Sequence, residues 1–279
     1  MPELPEVETV RRTVLPHVEG QRITRVWRST LPLRRQKPDP ALLRRALQDS
    51  RVITVERSGK YLLLRTDRGG ALIHLGMSGQ VTVEEADVPR RVHTHFVAAL
   101  ESGRELRLVD PRRFGLLRPF VGEAPPAEWN ELGPDPLTKA FSVQRLAEGL
   151  SHTRRAIKLA LLDQAVVAGL GNIYVAEALF LAGVHPEREA HTLRPTEIRA
   201  LHKAIEKVLA QGIANRGTSL SDYVDALGEQ GANQHHLLVY GRAGKPCVQC
   251  GSAVKLTVLG ARSSFFCARC QPRRPRARR

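Results

Sequence analysis

Four cysteines, all near the C-terminus, constrain this chain more than any other feature. They stand in two Cys-x-x-Cys pairs, CVQC (Cys247, Cys250) and CARC (Cys267, Cys270), with sixteen residues between the pairs. Each pair suits a short knuckle offering two thiolates, and two knuckles together make the tetrahedral four-sulfur set of a structural zinc site. Two disulfides are the other reading, disfavoured in a reducing compartment. Between the pairs, VKLTVLG and SSFFC alternate like the strands of a hairpin. The spacing therefore predicts a zinc-ribbon β-hairpin with one structural Zn2+. Four sulfurs leave no open coordination position, so such a metal would anchor the fold and not catalyse.

Ahead of the cysteines the texture of the chain changes once. Up to about residue 120, short β-like runs follow one another: RITRVWRS, VITVERS, YLLLRT, ALIHLG, QVTVE, HTHFVAAL, ELRLVD and FGLLRPF. Many short strands with glycine or polar punctuation predict a sandwich or a barrel. An opening helix, with Val7, Val10 and Val14 on one face, precedes them, and ALLRRALQ at 41–48 interrupts them. The proline-rich, aperiodic GEAPPAEWNELGPDP reads as a linker. From Ser142, an N-cap residue type, the pattern is helical: SVQRLAEGL, RRAIKLALLDQ, NIYVAEALFLAG and PTEIRALHKAIEKVLAQG. The last of these places Ile198, Leu201, Ile205, Val208 and Leu209 at helical spacing and is expected to stop at Gly212. The expected organisation is an α+β multidomain chain: a strand domain at 1–120, a linker at 121–136, a helical domain at 137–236, the cysteine hairpin at 237–271, and a disordered basic tail, PRRPRARR, at 272–279.

Charge narrows the function. The 279 residues carry 43 Lys+Arg against 28 Asp+Glu, a formal net charge of +15. A field of that sign attracts polyanions, of which nucleic acid is the commonest in a cell, although ribosome-associated and membrane-surface proteins carry similar charge. The acidic first dozen residues lack the apolar core of a secretory signal, and no run approaches the roughly 20 apolar residues of a membrane span. The cytosol or nucleoid is the expected location.

Two short stretches remain. In DQAVVAGLGNIY, Gly169-Leu170-Gly171 is not a dinucleotide fingerprint, because Tyr174 stands where the third glycine belongs and no strand precedes it. Tight turns opening onto a helix N-terminus, with Asn172 as an added donor, would suit a phosphate; a plain helix–helix turn reads as well from these residues alone. The opening MPELPEVETVRR places acids near the positive end of a helix with Pro5 at its start. That accounts for Glu6 and Glu8 and leaves Pro2 unexplained.

PELPEVETVRR, DPRRFG at 110–115, AGLGNIYVAEAL at 168–179 and the terminal cysteine hairpin, in that order, resemble the Fpg/Nei family of bifunctional DNA glycosylases, and within it the formamidopyrimidine-DNA glycosylase branch. The resemblance implies an N-terminal β-sandwich, a helical domain with a helix–two-turns–helix motif, and a zinc-ribbon hairpin, with DNA in a cleft between two lobes. It also implies excision of 8-oxoguanine and formamidopyrimidines from double-stranded DNA by a monomer, followed by β- and δ-elimination.

In that family Pro2, freed of Met1, is the Schiff-base nucleophile. An α-amino group with pKa about 8 is roughly one-tenth unprotonated at pH 7, against roughly one part in 2,500 for lysine. Glu3 corresponds to the general acid/base at the sugar ring oxygen, and Glu6 to a residue that orients the site, though helix-dipole compensation alone would also account for Glu6. Lys60 matches a phosphate-contacting proton donor for β-elimination, and Arg262 a phosphate-contacting donor for δ-elimination. Met77, Arg112 and Phe114 match the trio that fills the hole left by an extruded base, with Arg112 on the widowed cytosine. Arg113 and Asn172 match backbone grips; His74 reads equally as a phosphate contact or a satisfied strand histidine. One departure stands out: Ala232-Asn233 occupies a place where relatives often carry an aromatic pair. Two other readings stay open, a glycosylase of the same family directed at oxidised pyrimidines and a non-catalytic zinc-ribbon protein that binds nucleic acid.

Overall fold

The computed structural model describes residues 1–31, 33–34 and 38–273, so nearly all of the expected basic tail lies outside the described residues. The opening helix α1 runs Leu4–Val18. Its Val7, Val10, Val14 and Val18 are buried in one apolar cluster with strand residues such as Leu62, Ile73, Val81, Phe96 and Leu108.

The strand region forms two antiparallel sheets rather than a closed barrel. In chain order the strands are β1 (Ile23–Arg28), β2 (Val52–Ser58), β3 (Tyr61–Thr66), β4 (Gly69–His74), β5 (Gln80–Glu85), β6 (Thr94–Leu100), β7 (Arg104–Val109) and β8 (Leu116–Val121), with α2 (Pro40–Leu47) between β1 and β2. One sheet has the order β1-β6-β7-β5 and the other β2-β3-β4-β8. The unbroken Leu62-Leu63-Leu64 of β3 follows from burial on both faces. Leu62 and Leu64 enter the core shared with α1, whereas Leu63 joins Leu72, Leu116 and Phe120 under Trp129. Trp129 lies on the short helix α3 (Ala127–Asn130), within the stretch read as a linker.

The chain divides into two compact units: residues 1–131 with 213–234, and residues 132–212 with 235–279. The second unit carries α4 (Val143–Ser151), α5 (Ile157–Leu161), α6 (Asn172–Leu181) and most of α7 (Pro195–Ala214). Ser142 caps α4 by accepting the Arg145 N–H at 3.2 Å. α7 does not stop at Gly212 as expected but runs to Ala214. The glycine there serves packing: a Cβ would lie 2.6 Å from Tyr174 Oη. The hairpin pairs β9 (Lys255–Leu259) with β10 (Arg262–Phe266), Arg262 opposite Leu259. Both turn residues between them, Gly260 and Ala261, have positive φ, which matches the twist of a two-residue hairpin. No helix among the described residues is long and apolar enough to cross a membrane.

Candidate active site

Pro2, Glu3 and Glu6 are all buried at the start of α1. Glu3 is the helix N-cap. The Glu6 carboxylate reaches backwards, Oε2 accepting the Glu3 N–H at 2.8 Å, and sideways, Oε1 accepting the Thr218 N–H at 2.7 Å. One acid thus ties the first residues of the chain to the 213–234 segment of the same unit. Gly217 makes the approach possible. Its φ is +85°, and a Cβ there would meet Glu6 Cγ at 2.9 Å and Tyr223 Cε1 at 2.9 Å. Tyr223 is buried and donates to Arg216 O at 3.1 Å and Glu6 O at 3.3 Å. Burial, and Glu6 beside it, push its phenol well above the usual range, so it remains a neutral donor. Nothing in the sequence pattern pointed to Gly217, Thr218 or Tyr223, because they act through contacts more than 200 residues away in the chain.

Glu8 does more than suit a helix dipole. It pairs with Arg11 at 2.8 Å, Arg12 at 2.7 Å and the buried Arg57 at 3.0 Å. Burial alone would raise its pKa; the three guanidinium groups outweigh that and hold it at about 2. Through Arg57 this cluster binds α1 to β2. The turn out of β2 carries Lys60, which is only 6% exposed. In the next hairpin His74 faces Tyr61 across the β3–β4 ladder, with ring centroids 4.8 Å apart. His74 Nδ1 accepts the Gly76 N–H at 3.0 Å, which puts the ring hydrogen on Nε2.

Two turns then meet. Met77, 41% exposed, lies on the turn between β4 and β5. Arg112, Arg113 and Phe114 lie on the turn between β7 and β8. Arg112 is exposed, and its guanidinium sits 5.3 Å from the Phe114 ring centre. A second guanidinium, that of Arg34, stacks 4.8 Å from the same ring. The buried Asp110 and Ser78 connect the two turns, with Ser78 Oγ donating to Asp110 Oδ1 at 2.7 Å.

In the second unit, Asn172 opens α6 and its Nδ2 donates to Ser263 O at 3.0 Å. The buried Lys158 of α5 donates to the same carbonyl at 2.5 Å and to Ser264 Oγ at 2.7 Å. Helix ends and hairpin are thereby joined beside Arg262, which is exposed. Glu177, buried on α6, accepts the backbone N–H groups of Leu238, Val239 and Tyr240 at 2.8–3.0 Å and so fixes the lead into the hairpin. Asn233, half of the Ala232-Asn233 pair that departs from the family's frequent aromatics, is buried and donates from Nδ2 to Thr218 Oγ1 at 2.9 Å. It closes the base of the 218–233 loop.

The cysteines are free thiols, not disulfides. All four Sγ atoms lie within 4.8 Å of one another, with Cys247–Cys270 at 3.8 Å and Cys250–Cys267 at 3.5 Å. A tetrahedron with metal–sulfur bonds of about 2.3 Å has edges of about 3.8 Å, so the donor set fits zinc.

Family models match along the chain in order. Residues 1–117 match the formamidopyrimidine-DNA glycosylase N-terminal domain, 132–224 the H2TH domain of the same enzymes, and 244–273 a zinc finger found in FPG and IleRS. A formamidopyrimidine-DNA glycosylase of Symbiobacterium thermophilum is 47% identical over 275 residues, covering 98% of this chain and 90% of the relative. Two solved structures of the Lactococcus lactis Fpg are 33% identical, each with a TM-score of 0.87 and 97% of this chain covered. One is the wild-type protein with N7-benzyl-Fapy-dG DNA, covered over its full length; the other is a complex with abasic-site DNA, covered over 99%. With its three domain models in sequence and near-half identity across its length, the chain belongs to the formamidopyrimidine-DNA glycosylase family.

Proposed function

We propose that this chain is a bifunctional DNA glycosylase and abasic-site lyase that removes oxidised purines, 8-oxoguanine and formamidopyrimidines, from duplex DNA as a bacterial cytoplasmic monomer. The observation that carries the reading is the Glu6 carboxylate, which holds the Glu3 N–H and the Thr218 N–H together and so fixes the Pro2–Glu3 stub at the positive end of α1. Complexes of the Lactococcus lactis relative with a formamidopyrimidine lesion and with an abasic site support the substrate class.

With Met1 attached, the Pro2 nitrogen is an amide without a usable lone pair. Removal of Met1 leaves a secondary amine. An ordinary α-amino group is roughly one-tenth unprotonated at neutral pH, far more than a lysine. Attack forms an N–C1′ bond as the bond from C1′ to the base breaks, with the electron pair leaving on the base. The adduct's ammonium proton passes to Glu3, which delivers it to the ring oxygen; the C1′–O4′ bond opens, and the nitrogen lone pair so freed forms an iminium. A secondary amine leaves no N–H to lose, so the iminium stays charged and acidifies the C2′ proton. Loss of that proton expels the 3′ phosphate, with Lys60 supplying a proton, and Arg262 serves the second elimination. Met77 and Phe114 fill the emptied stack and Arg112 bonds the widowed cytosine; His74, Arg113 and Asn172 grip phosphates. Cys247, Cys250, Cys267 and Cys270 would hold one Zn2+, which supplies rigidity to the hairpin and no Lewis acid.

Borohydride reduction tests the central step. Processed protein is expected to be trapped covalently on a duplex carrying 8-oxoguanine opposite cytosine, and Pro2→Gly or retention of Met1, verified by N-terminal mass, is expected to suppress the adduct. Full trapping by protein that retains Met1 would overturn the assignment.

A further inference from the structure

Asp110 takes no part in the chemistry above, yet its carboxylate is fully buried, and among the described residues the donors that meet it are uncharged. Oδ1 accepts from Ser78 Oγ at 2.7 Å and from the Arg112 N–H at 3.3 Å; Oδ2 accepts the Gly115 N–H at 2.7 Å. Ser78 Oγ in turn accepts the Arg112 N–H at 3.2 Å. The Asp110 carbonyl is used as well, by the Arg113 N–H at 3.2 Å and by His95 Nε2 at 3.0 Å. Taking a carboxylate fully out of water is costly even when hydrogen bonds satisfy it. A second cost sits beside it. Arg113 has φ +61°, a left-handed conformation uncommon for a side chain with a Cβ. Such strain persists where surrounding bonds over-determine it and gathers at sites that do work. Here the bonds to Asp110, and the Arg34 N–H on Arg113 O at 2.7 Å, do the holding.

The residues so held are those that carry Met77 on one turn and Arg112 and Phe114 on the other. We propose that Asp110, acting with Ser78, is a positioning residue that locks these two turns into one rigid wedge, so that the three side chains enter a duplex together. This rests on reading Met77, Arg112 and Phe114 as the residues that fill the extruded base's place. The physical reason is ordering: turns that moved independently would lose conformational freedom at insertion, when unstacking already costs a few kcal/mol. Asp110 and Ser78 are buried and present no surface to a sugar or base, so the lock bears on opening the duplex and not on attack at C1′.

Ser78→Ala removes the bridging hydroxyl without enlarging a side chain, and Asp110→Asn leaves one oxygen to serve donors that now occupy two. The processed enzyme is assayed on 8-oxoguanine opposite cytosine in a duplex, and on a single-stranded oligonucleotide with an abasic site, where nothing has to be unstacked. The expected result is a kcat/KM on the duplex lower by about tenfold in either variant, the loss of one or two buried hydrogen bonds. Single-strand cleavage stays within about twofold, and Ser78→Thr, which keeps the hydroxyl, recovers most of the duplex rate. Preference for cytosine over adenine opposite the lesion narrows as Arg112 loses its fixed backbone. Equal losses on both substrates, or an unchanged duplex rate in both variants, would overturn the proposal. Fluorescence of 2-aminopurine beside the lesion reports unstacking without chemistry. Failure of the enzyme reading alone therefore has its own signature: unstacking that depends on Ser78, with no trapped product from any variant.

Discussion

At Gly217 two neighbours, Glu6 and Tyr223, use the space a side chain would fill. Its positive φ and the 2.9 Å approach of Glu6 Cγ leave room for a hydrogen and nothing larger. Gly217→Ala would push Glu6 away from the Thr218 N–H and release the stub that carries Pro2 and Glu3. We expect roughly 1–3 kcal/mol of lost stability in chemical denaturation, the range for strain plus overpacking. The rate of borohydride trapping is expected to fall by more than tenfold while DNA affinity stays near wild type. Affinity and trapping lost in proportion would show that Gly217 serves the fold and not the amine. Pro2 was singled out by the sequence because no structural rule explained it; Gly217 was not, because glycine in a loop has many causes.

At the scale of elements, α1 carries the residues to which the chemistry is assigned by proposal, and Glu8 fastens it to β2. The folded Glu8 carboxyl titrates at about 2 against an ordinary value of 4.5. A group depressed on folding stabilises the native state fully above its unfolded pKa and loses that contribution as pH falls through the folded one. Acid unfolding is therefore expected to steepen between pH 4.5 and about 2. Glu8→Gln is expected to flatten that limb and to cost roughly 1–3 kcal/mol at neutral pH by removing the charge that pairs with Arg11, Arg12 and Arg57. A pH–stability profile from urea titrations checks both; identical profiles for Glu8→Gln and wild type would remove Glu8 as the fastener. The dipole argument read Glu6 and Glu8 alike, but partners on other elements separate them. Glu6 bonds two backbone amides, and Glu8 pairs with three arginines.

For the whole molecule, the excess of positive charge and the cysteine hairpin combine in one expectation. The four cysteines are placed to hold one metal ion, their knuckles flank β9 and β10, and β10 begins with the exposed Arg262. Cys250→Ser, or chelation of the metal, is expected to lower affinity for duplex DNA by about tenfold at moderate salt and to make the log–log salt dependence shallower, as phosphate contacts are lost. Far-UV circular dichroism of the strand-rich first unit should change little. Unchanged affinity on complete metal removal would show that the hairpin does not hold the duplex.

The sequence by itself determined the elements whose cause is local. Two Cys-x-x-Cys pairs can close on one ion, alternating runs must become strands, and valines at 7, 10 and 14 must share a helical face. It also left Pro2 without a structural reason, and the family resemblance then supplied the role of reacting amine proposed for it. Tertiary structure decided what depends on distant partners. The strands could have closed a barrel or packed as two sheets, and the burial of β3 on both faces settled that. Residues 213–234, helical in texture at first and then aperiodic, fold back onto α1 because Glu6 and Tyr223 find their partners there. The lock at Asp110 and Ser78 was invisible for the same reason. A hydrogen bond between residues 32 apart leaves no period in the sequence, and only the folded chain brings donor and acceptor within 2.7 Å.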